Sequence, residues 1–323
     1  MSALEKVVAQ DIKMLKVLEL VQAVAQSRAT VLITGESGTG KSLIARAIHE
    51  LSRRQGGPFV EVSCGALPET LLESELFGHV RGAFTDAHAD RPGKFAAAEG
   101  GSIFLDEIAV ASPAMQMKLL RVLQDRRYEP VGSNWTQAAD VRVILATNHD
   151  LWEEVEQGRF RRDLYYRVNV VNMELPPLRE RQGDARLLAG HFLRVFLKEN
   201  EKPVLGFADE ALAAMERYDW PGNVRELENC VERAVVLCRG PRIEVGDLPG
   251  HVLDGPSRPV AGHEARHTLS QALAEPERQI IHRALEASGG CRQAAARALG
   301  INRATLYKKM RKLGLIPGPR KAV

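Results

Sequence analysis

Apolar residues recur at helical spacing over residues 4–25, and a short apolar run, Val31-Leu-Ile33, follows before Thr34 and Gly35. The first stretch predicts an amphipathic helix, and the second predicts a buried strand that ends in a tight turn. Strand-like runs return at 59–63, 102–106, 141–146 and 168–171, separated by helical patterns such as 114–124. Buried strands alternating with helices predict an α/β fold with a parallel sheet covered on both faces. After Pro176-Pro177 the strand patterns stop, and 184–197, 209–218 and 223–237 read as helices of a smaller all-α lid. Residues 249–267 are rich in Gly, Pro, Ser, Arg and His without apolar periodicity, which predicts a flexible linker. A helical pattern at 273–287 precedes two short helices, 292–299 and 302–313, joined through Gly300 as in a helix-turn-helix. The division that results is an α/β core over 1–176, a helical lid over 177–249, a linker over 250–268 and a DNA-binding unit over 269–323.

Charge sharpens the last assignment. The whole chain of 323 residues is only +3, yet the stretch from Gly289 to the end holds nine Lys/Arg and no acid, leaving 35 basic against 41 acidic residues elsewhere. A basic terminal segment of that kind faces a polyanion, and double-stranded DNA is the expected partner. Asn302 caps the second helix of the pair, Leu306, Met310 and Leu313 form its inner face, and Arg303, Thr305, Lys308 and Lys309 are left for DNA contact. No run of 18 apolar residues occurs and the start lacks the apolar region of a secretory signal, so a cytoplasmic protein with no membrane partner is expected. Four cysteines, Cys64, Cys230, Cys238 and Cys291, form no C-x-x-C pair and suggest neither zinc knuckle nor disulfide framework. His263-Glu-Ala-Arg-His267 satisfies H-E-x-x-H, but it falls in the predicted linker, where the rigid helix needed for zinc chemistry is lacking.

The chemistry concentrates in two segments. Gly35-Glu36-Ser37-Gly38-Thr39-Gly40-Lys41-Ser42 fits G-x-x-x-x-G-K-[ST] between a predicted strand and helix, where backbone N–H groups can wrap phosphates. Lys41 is then placed for the β and γ phosphates of ATP and Ser42 for Mg²⁺. Asp106 and Glu107 end the 102–106 strand at the edge where ligands bind in parallel sheets, Asp106 suited to the Mg²⁺ shell and Glu107 to polarising the attacking water. A D-E pair after a strand is otherwise a solvated cap, and the phosphate loop upstream decides between the two readings.

Over residues 4–315 the chain resembles the AAA+ activators of sigma-54 RNA polymerase. Gly82-Ala83-Phe84-Thr85-Asp86-Ala87, preceded by Glu75-Leu-Phe-Gly-His79, is similar to the family loop G-A-F-T-G-A, which the resemblance assigns to sigma-factor contact. Asp86 stands where the family usually has Gly, removing backbone freedom and adding a negative charge. Asn148 looks like sensor I and Arg225, in Trp220-Pro-Gly-Asn-Val-Arg225, like sensor II; Arg161 and Arg167 match arginines that reach a neighbouring subunit's ATP. Taken alone, Asn148 could be a turn residue and the arginines solvated ion pairs. Ser63 replaces an Asn that restrains the catalytic glutamate in relatives, which implies looser coupling between partner contact and hydrolysis. Cys291 replaces another Asn as a poorer helix cap. The resemblance implies an ATPase, assembled as a homo-oligomeric ring, hexameric in relatives, that binds an upstream activating sequence and opens sigma-54 promoters without an N-terminal regulatory domain. The alternatives are an AAA+ remodeller of another protein and a DNA-binding regulator that acts without sigma-54.

Overall fold

The computed structural model describes residues 3–253 except Asp86 and Glu201, and then Ile281, Ala284, Ser288 and 291–312. Contacts divide the chain into two units, Met1–Arg258 and Pro259–Val323. Most of the predicted linker, the H-E-x-x-H segment and most of the predicted 273–287 helix lie outside the described residues.

In the first unit, helix α1 (Ile12–Ala25) leads to β1 (Val31–Thr34), α2 (Lys41–Glu50), β2 (Phe59–Ser63), α3 (Glu69–Phe77), the single-turn α4 (Lys94–Ala97), β3 (Ser102–Asp106) and α5 (Pro113–Asp125). A small hairpin, β4 (Arg127–Tyr128) and β5 (Gln137–Ala138), precedes β6 (Arg142–Thr147), α6 (Leu151–Glu156), α7 (Arg162–Val168) and β7 (Val171–Glu174). The main sheet runs β2-β3-β6-β1-β7 with every pairing parallel. Alternate residues of its central strands feed two cores. Leu32, Ile103, Leu105, Val143 and Leu145 pack on one face with Leu119 and Leu164. Val31, Ile33, Phe104, Ile144 and Ala146 pack on the other with Met14, Val21, Ile44 and Ile48. Each such Val, Leu, Ile, Phe or Met side chain stabilises by about 1.5–3 kcal/mol, which is why these strands read as unbroken apolar runs.

Four local expectations change. The 4–25 stretch is one turn at Leu4–Lys6 and then, after an extended segment, α1, whose cap Asp11 accepts from the Lys13 N–H at 2.8 Å. The last core strand is Val171–Glu174, because Leu164 and Val168, four residues apart, both face the core as the buried positions of α7. The lid, formed by α8 (Asp184–Asn200), α9 (Asp209–Arg217) and α10 (Asn223–Leu237), also carries a two-residue parallel pair, β8 (Gly206–Phe207) and β9 (Arg242–Ile243). Helix α11 (Gly250–Leu253) continues the lid into the stretch expected to be linker, with Val252 buried in the lid core.

The second unit contains α12 (Arg292–Ala298) and α13 (Arg303–Lys312), turning through Gly300 at φ 64°. Leu306 and Met310 pack with Ala295, Ala296 and Ile281, and Asn302 Oδ1 accepts from the Thr305 N–H at 2.7 Å, the capping bond expected of it. Among the described residues no helix is long and apolar enough to cross a membrane.

Candidate nucleotide site

At the carboxyl edge of the sheet, β1 runs into a loop whose Gly35, Gly38 and Gly40 have φ of 141°, 78° and 102°. A Cβ on Gly38 would stand 2.2 Å from the Gly222 carbonyl oxygen of the lid, so close approach and backbone conformation both require glycine there. Helix α2 starts at Lys41 with no side chain capping its amino end. Its first N–H groups are therefore left for an anion, aided by the helix dipole.

Lys41 is buried, and its ammonium donates to the carbonyls of Gly35 at 2.8 Å and Glu36 at 3.0 Å. Burial pulls its pKa below the ordinary lysine value, while the charge of Asp106 opposes that shift. Asp106 closes β3, and Glu107 leaves the strand in the left-handed region, φ 57° and ψ 44°. That turn swings the Glu107 carboxylate over Gly65, where an added Cβ would lie 2.1 Å from Oε2. Asn148 follows directly on β6, which neighbours both β1 and β3, so the order of the sheet collects the three strand ends.

These groups line one cavity of about 770 Å³. Its polar end comprises residues 37–42, Ser63, Asp106, Glu107, Asn148 and Arg225, and its other wall includes Val7, Val8, Leu188, Phe192 and Val195. Arg225 donates to Ser37 Oγ at 3.1 Å, and the Val224 N–H donates to the Gly38 carbonyl at 3.0 Å, so the lid touches the loop directly.

Several contacts of this arrangement were not signalled by any sequence motif. Glu36, counted only as a loop position, receives both Nη groups of Arg179 at 2.6 and 2.8 Å and Asn223 Nδ2 at 3.1 Å. Arg179, with Asn223 assisting, holds the Glu36 carboxyl below its usual pKa. Buried Asn223 also accepts from the Leu178 N–H at 2.8 Å, and buried Arg181 donates to the Thr39 carbonyl at 2.9 Å. The apolar wall from residues 7 and 8 and from α8 was equally unmarked, because hydrophobic periodicity does not tell a pocket wall from a core.

Arg161 and Arg167 do not line this cavity. Arg161 pairs with Asp163 at 2.6 Å on the surface, and Arg167 donates to the Leu123 carbonyl at 2.7 and 3.1 Å. The 82–87 loop is also separate. The Gly82 N–H donates to the Ala87 carbonyl at 2.8 Å, and Ala87 is buried. Phe84 is 39% exposed, its ring meeting His79 edge-on at 4.9 Å, and Thr85 is exposed; Asp86 lies outside the described residues. The β4–β5 hairpin braces the loop's base, the Val131 N–H donating to the Gly78 carbonyl at 2.8 Å and the Val80 N–H to the Val131 carbonyl at 3.1 Å. In α13, Arg303 and Lys308 are exposed and Thr305 and Lys309 half-buried.

Three family models match successive stretches: the Sigma-54 interaction domain over residues 7–174, the AAA+ ATPase lid domain over 179–264, and the Bacterial regulatory protein, Fis family, over 272–313. The transcriptional regulatory protein ZraR of Escherichia coli (strain K12) is 52% identical over 293 residues, an alignment covering 91% of this chain and 65% of that protein. The regulatory protein AtoC of the same strain is 47% identical over 301 residues, 91% of this chain and 64% of that protein. The chain thus spans about 65% of the length of these relatives. Among solved structures, NtrX from Brucella abortus superposes with a TM-score of 0.74 at 33% identity, covering 97% of this chain and 70% of that one. NtrX in complex with ATP superposes at 0.72 and 32%, covering 95% and 69%. With the Sigma-54 interaction domain matched over just more than half of its residues, and the AAA+ lid and Fis-family segments in order behind it, this chain belongs to the family of sigma-54 interaction domain proteins.

Proposed function

We propose that this chain binds and hydrolyses ATP and uses the reaction to remodel sigma-54 RNA polymerase at promoters while its second unit holds upstream double-stranded DNA. The observation that carries the reading is the convergence of Lys41, Asp106, Glu107, Asn148 and Arg225 on one cavity at the carboxyl edge of the sheet. The triphosphate lies along residues 35–42, where Lys41 exchanges its two carbonyl partners for phosphate oxygens. The purine lies against Val7, Val8 and Phe192. Ser42 and Asp106, a hydroxyl and a carboxylate on the same cavity, are the oxygen donors a hard cation takes, and they fit Mg²⁺. When bound, Mg²⁺ neutralises charge on the phosphates. Glu107 orients and polarises the attacking water, a role worth about 10²- to 10⁴-fold in rate. Asn148 and Arg225 stand over the γ-phosphate.

Because Arg161 and Arg167 lie outside their own chain's cavity, they are assigned to the cavity of an adjacent copy in a ring, hexameric by family likeness. Residues 82–87 form the sigma-factor contact, led by exposed Phe84 and Thr85. Arg303, Thr305, Lys308 and Lys309 contact DNA, all in the cytoplasm. The domains are assigned as a core over 1–176, a helical lid over 177–249 that α11 carries on to Leu253, a linker up to 268 and a DNA-binding unit over 269–323.

The deciding experiment measures open-complex formation at a sigma-54 promoter with ATP, comparing wild type and Thr85→Ala, alongside phosphate release. Thr85→Ala is expected to abolish activation while hydrolysing ATP near the wild-type rate. Equal activation by both proteins refutes the assignment of the loop.

A further inference from the structure

The same sheet has a second polar cavity at its amino edge, about 270 Å³ in volume. It is formed where the ends of α1 and α2 meet the starts of β3 and β6. Four guanidinium groups line it, those of Arg28, Arg53, Arg54 and Arg142, against the single carboxylate of Asp140. Arg54 is committed to Asp140 and to that residue's carbonyl at 2.6 Å, and Asp140 is shared further with Arg126 at 3.6 Å. Neither Arg28 nor Arg53 enters an ion pair among the described residues, and both are exposed at the mouth.

Arg142 adds a buried positive charge to this wall of the cavity. It is 97% buried, its two terminal nitrogens donate to the carbonyls of Ala25 at 2.6 Å and Val24 at 2.8 Å, and its Nε has no hydrogen-bond partner. Burial first, and the charge of Arg54 second, push its pKa down to about 10, so at neutral pH it remains a cation facing other cations. A buried cation beside another cation is costly, and the charge of an anion in the cavity offsets that cost. The volume lies below the roughly 300–1,000 Å³ of pockets for organic ligands and suits a compact oxyanion. Guanidinium groups match phosphate oxygens in planar, two-pronged geometry.

We propose that this cavity is a second anion site, separate from the nucleotide, which takes inorganic phosphate or pyrophosphate. Along β6, Arg142 and the residue after the strand, Asn148, are about 20 Å apart at ~3.3 Å per residue, so occupancy of the two cavities is distinguishable.

The test titrates the full chain, saturated with a non-hydrolysable ATP analogue to fill the loop at 35–42 through the γ-phosphate position, with phosphate, pyrophosphate and sulfate by isothermal titration calorimetry. Wild type is expected to bind at one site, with phosphate or pyrophosphate preferred over sulfate. Arg28→Gln with Arg53→Gln is expected to weaken binding about tenfold or more, as the loss of charge-assisted hydrogen bonds requires. Asp140→Asn is expected to tighten it by removing the one opposing charge. The ADP isotherm of each variant reports that it is folded. Absence of saturable binding, binding that survives the double substitution, or weakening by Asp140→Asn overturns the assignment.

Discussion

The two edges of the five-stranded sheet each bury a cation and settle it in different ways. At the carboxyl edge Lys41 gives its protons to two backbone carbonyls, with Asp106, Glu107 and Glu36 close enough to act on its charge. At the amino edge Arg142 also gives protons to two carbonyls, but those are the last carbonyls of α1, and its charged neighbour is another arginine. The lysine has a flexible stem, carboxylates around it and an open cavity before it, so its bonds can be exchanged for phosphate. The arginine is a fixed fork that satisfies a helix end, and its bonds are structural. Chemistry and stability are thus expected to separate along the strands: residues at the carboxyl edge should change rates, and residues at the amino edge should change unfolding.

The largest effect that can break this comparison is at Glu107. Glu107→Gln should reduce phosphate release by about 10²- to 10⁴-fold while ADP affinity and the melting temperature hold. A large fall in melting temperature would mean that the carboxyl edge is structural as well. Next in size, Arg142→Met should lower the unfolding free energy in urea by about 2–4 kcal/mol, since two carbonyls at the end of α1 lose buried donors. ADP should bind the folded variant as it binds wild type, and a selective loss of ADP binding would show the edges to be coupled.

The smallest effect concerns His49, which is buried at the amino edge with Nδ1 2.9 Å from Ser102 Oγ. Burial holds its pKa below the ordinary value of 6.5, so the unfolded chain takes up a proton before the folded one does. Its contribution to stability is complete above about pH 6.5 and is lost as pH falls below that, with a slope limited to about 1.4 kcal/mol per pH unit for one proton. Urea midpoints between pH 7.5 and 5.5 should therefore fall more steeply for wild type than for His49→Gln. Identical slopes would remove His49 from the account.

Where local pattern and tertiary environment agree, as at β2 and β3, the strand bounds were legible to the residue. They failed at β7, because Val168 fits both a strand run and the inner face of a helix that starts at Arg162, and only packing against the core chooses. They failed again at residues 7–11, where apolar spacing suggested helix but the Gln10 and Asp11 N–H groups donate to Asp184 Oδ1 at 2.7 and 3.1 Å. That carboxylate lies 173 residues from Asp11, beyond the reach of any local pattern.

The order of residues by itself determined the phosphate loop at 35–42, the carboxylates at Asp106 and Glu107, the alternation that makes a parallel sheet, and the basic final helix. Each is a short-range property, set by which side chains stand next to one another. Tertiary structure alone decided that Glu36 is clamped by Arg179 and Asn223, that Glu107 rests over Gly65, that Arg161 and Arg167 miss their own cavity, and that Arg142 is buried among arginines. Those are distances between segments far apart in the chain, and they exist only once the apolar faces of the strands have chosen their neighbours and fixed which ends of the sheet meet which helices.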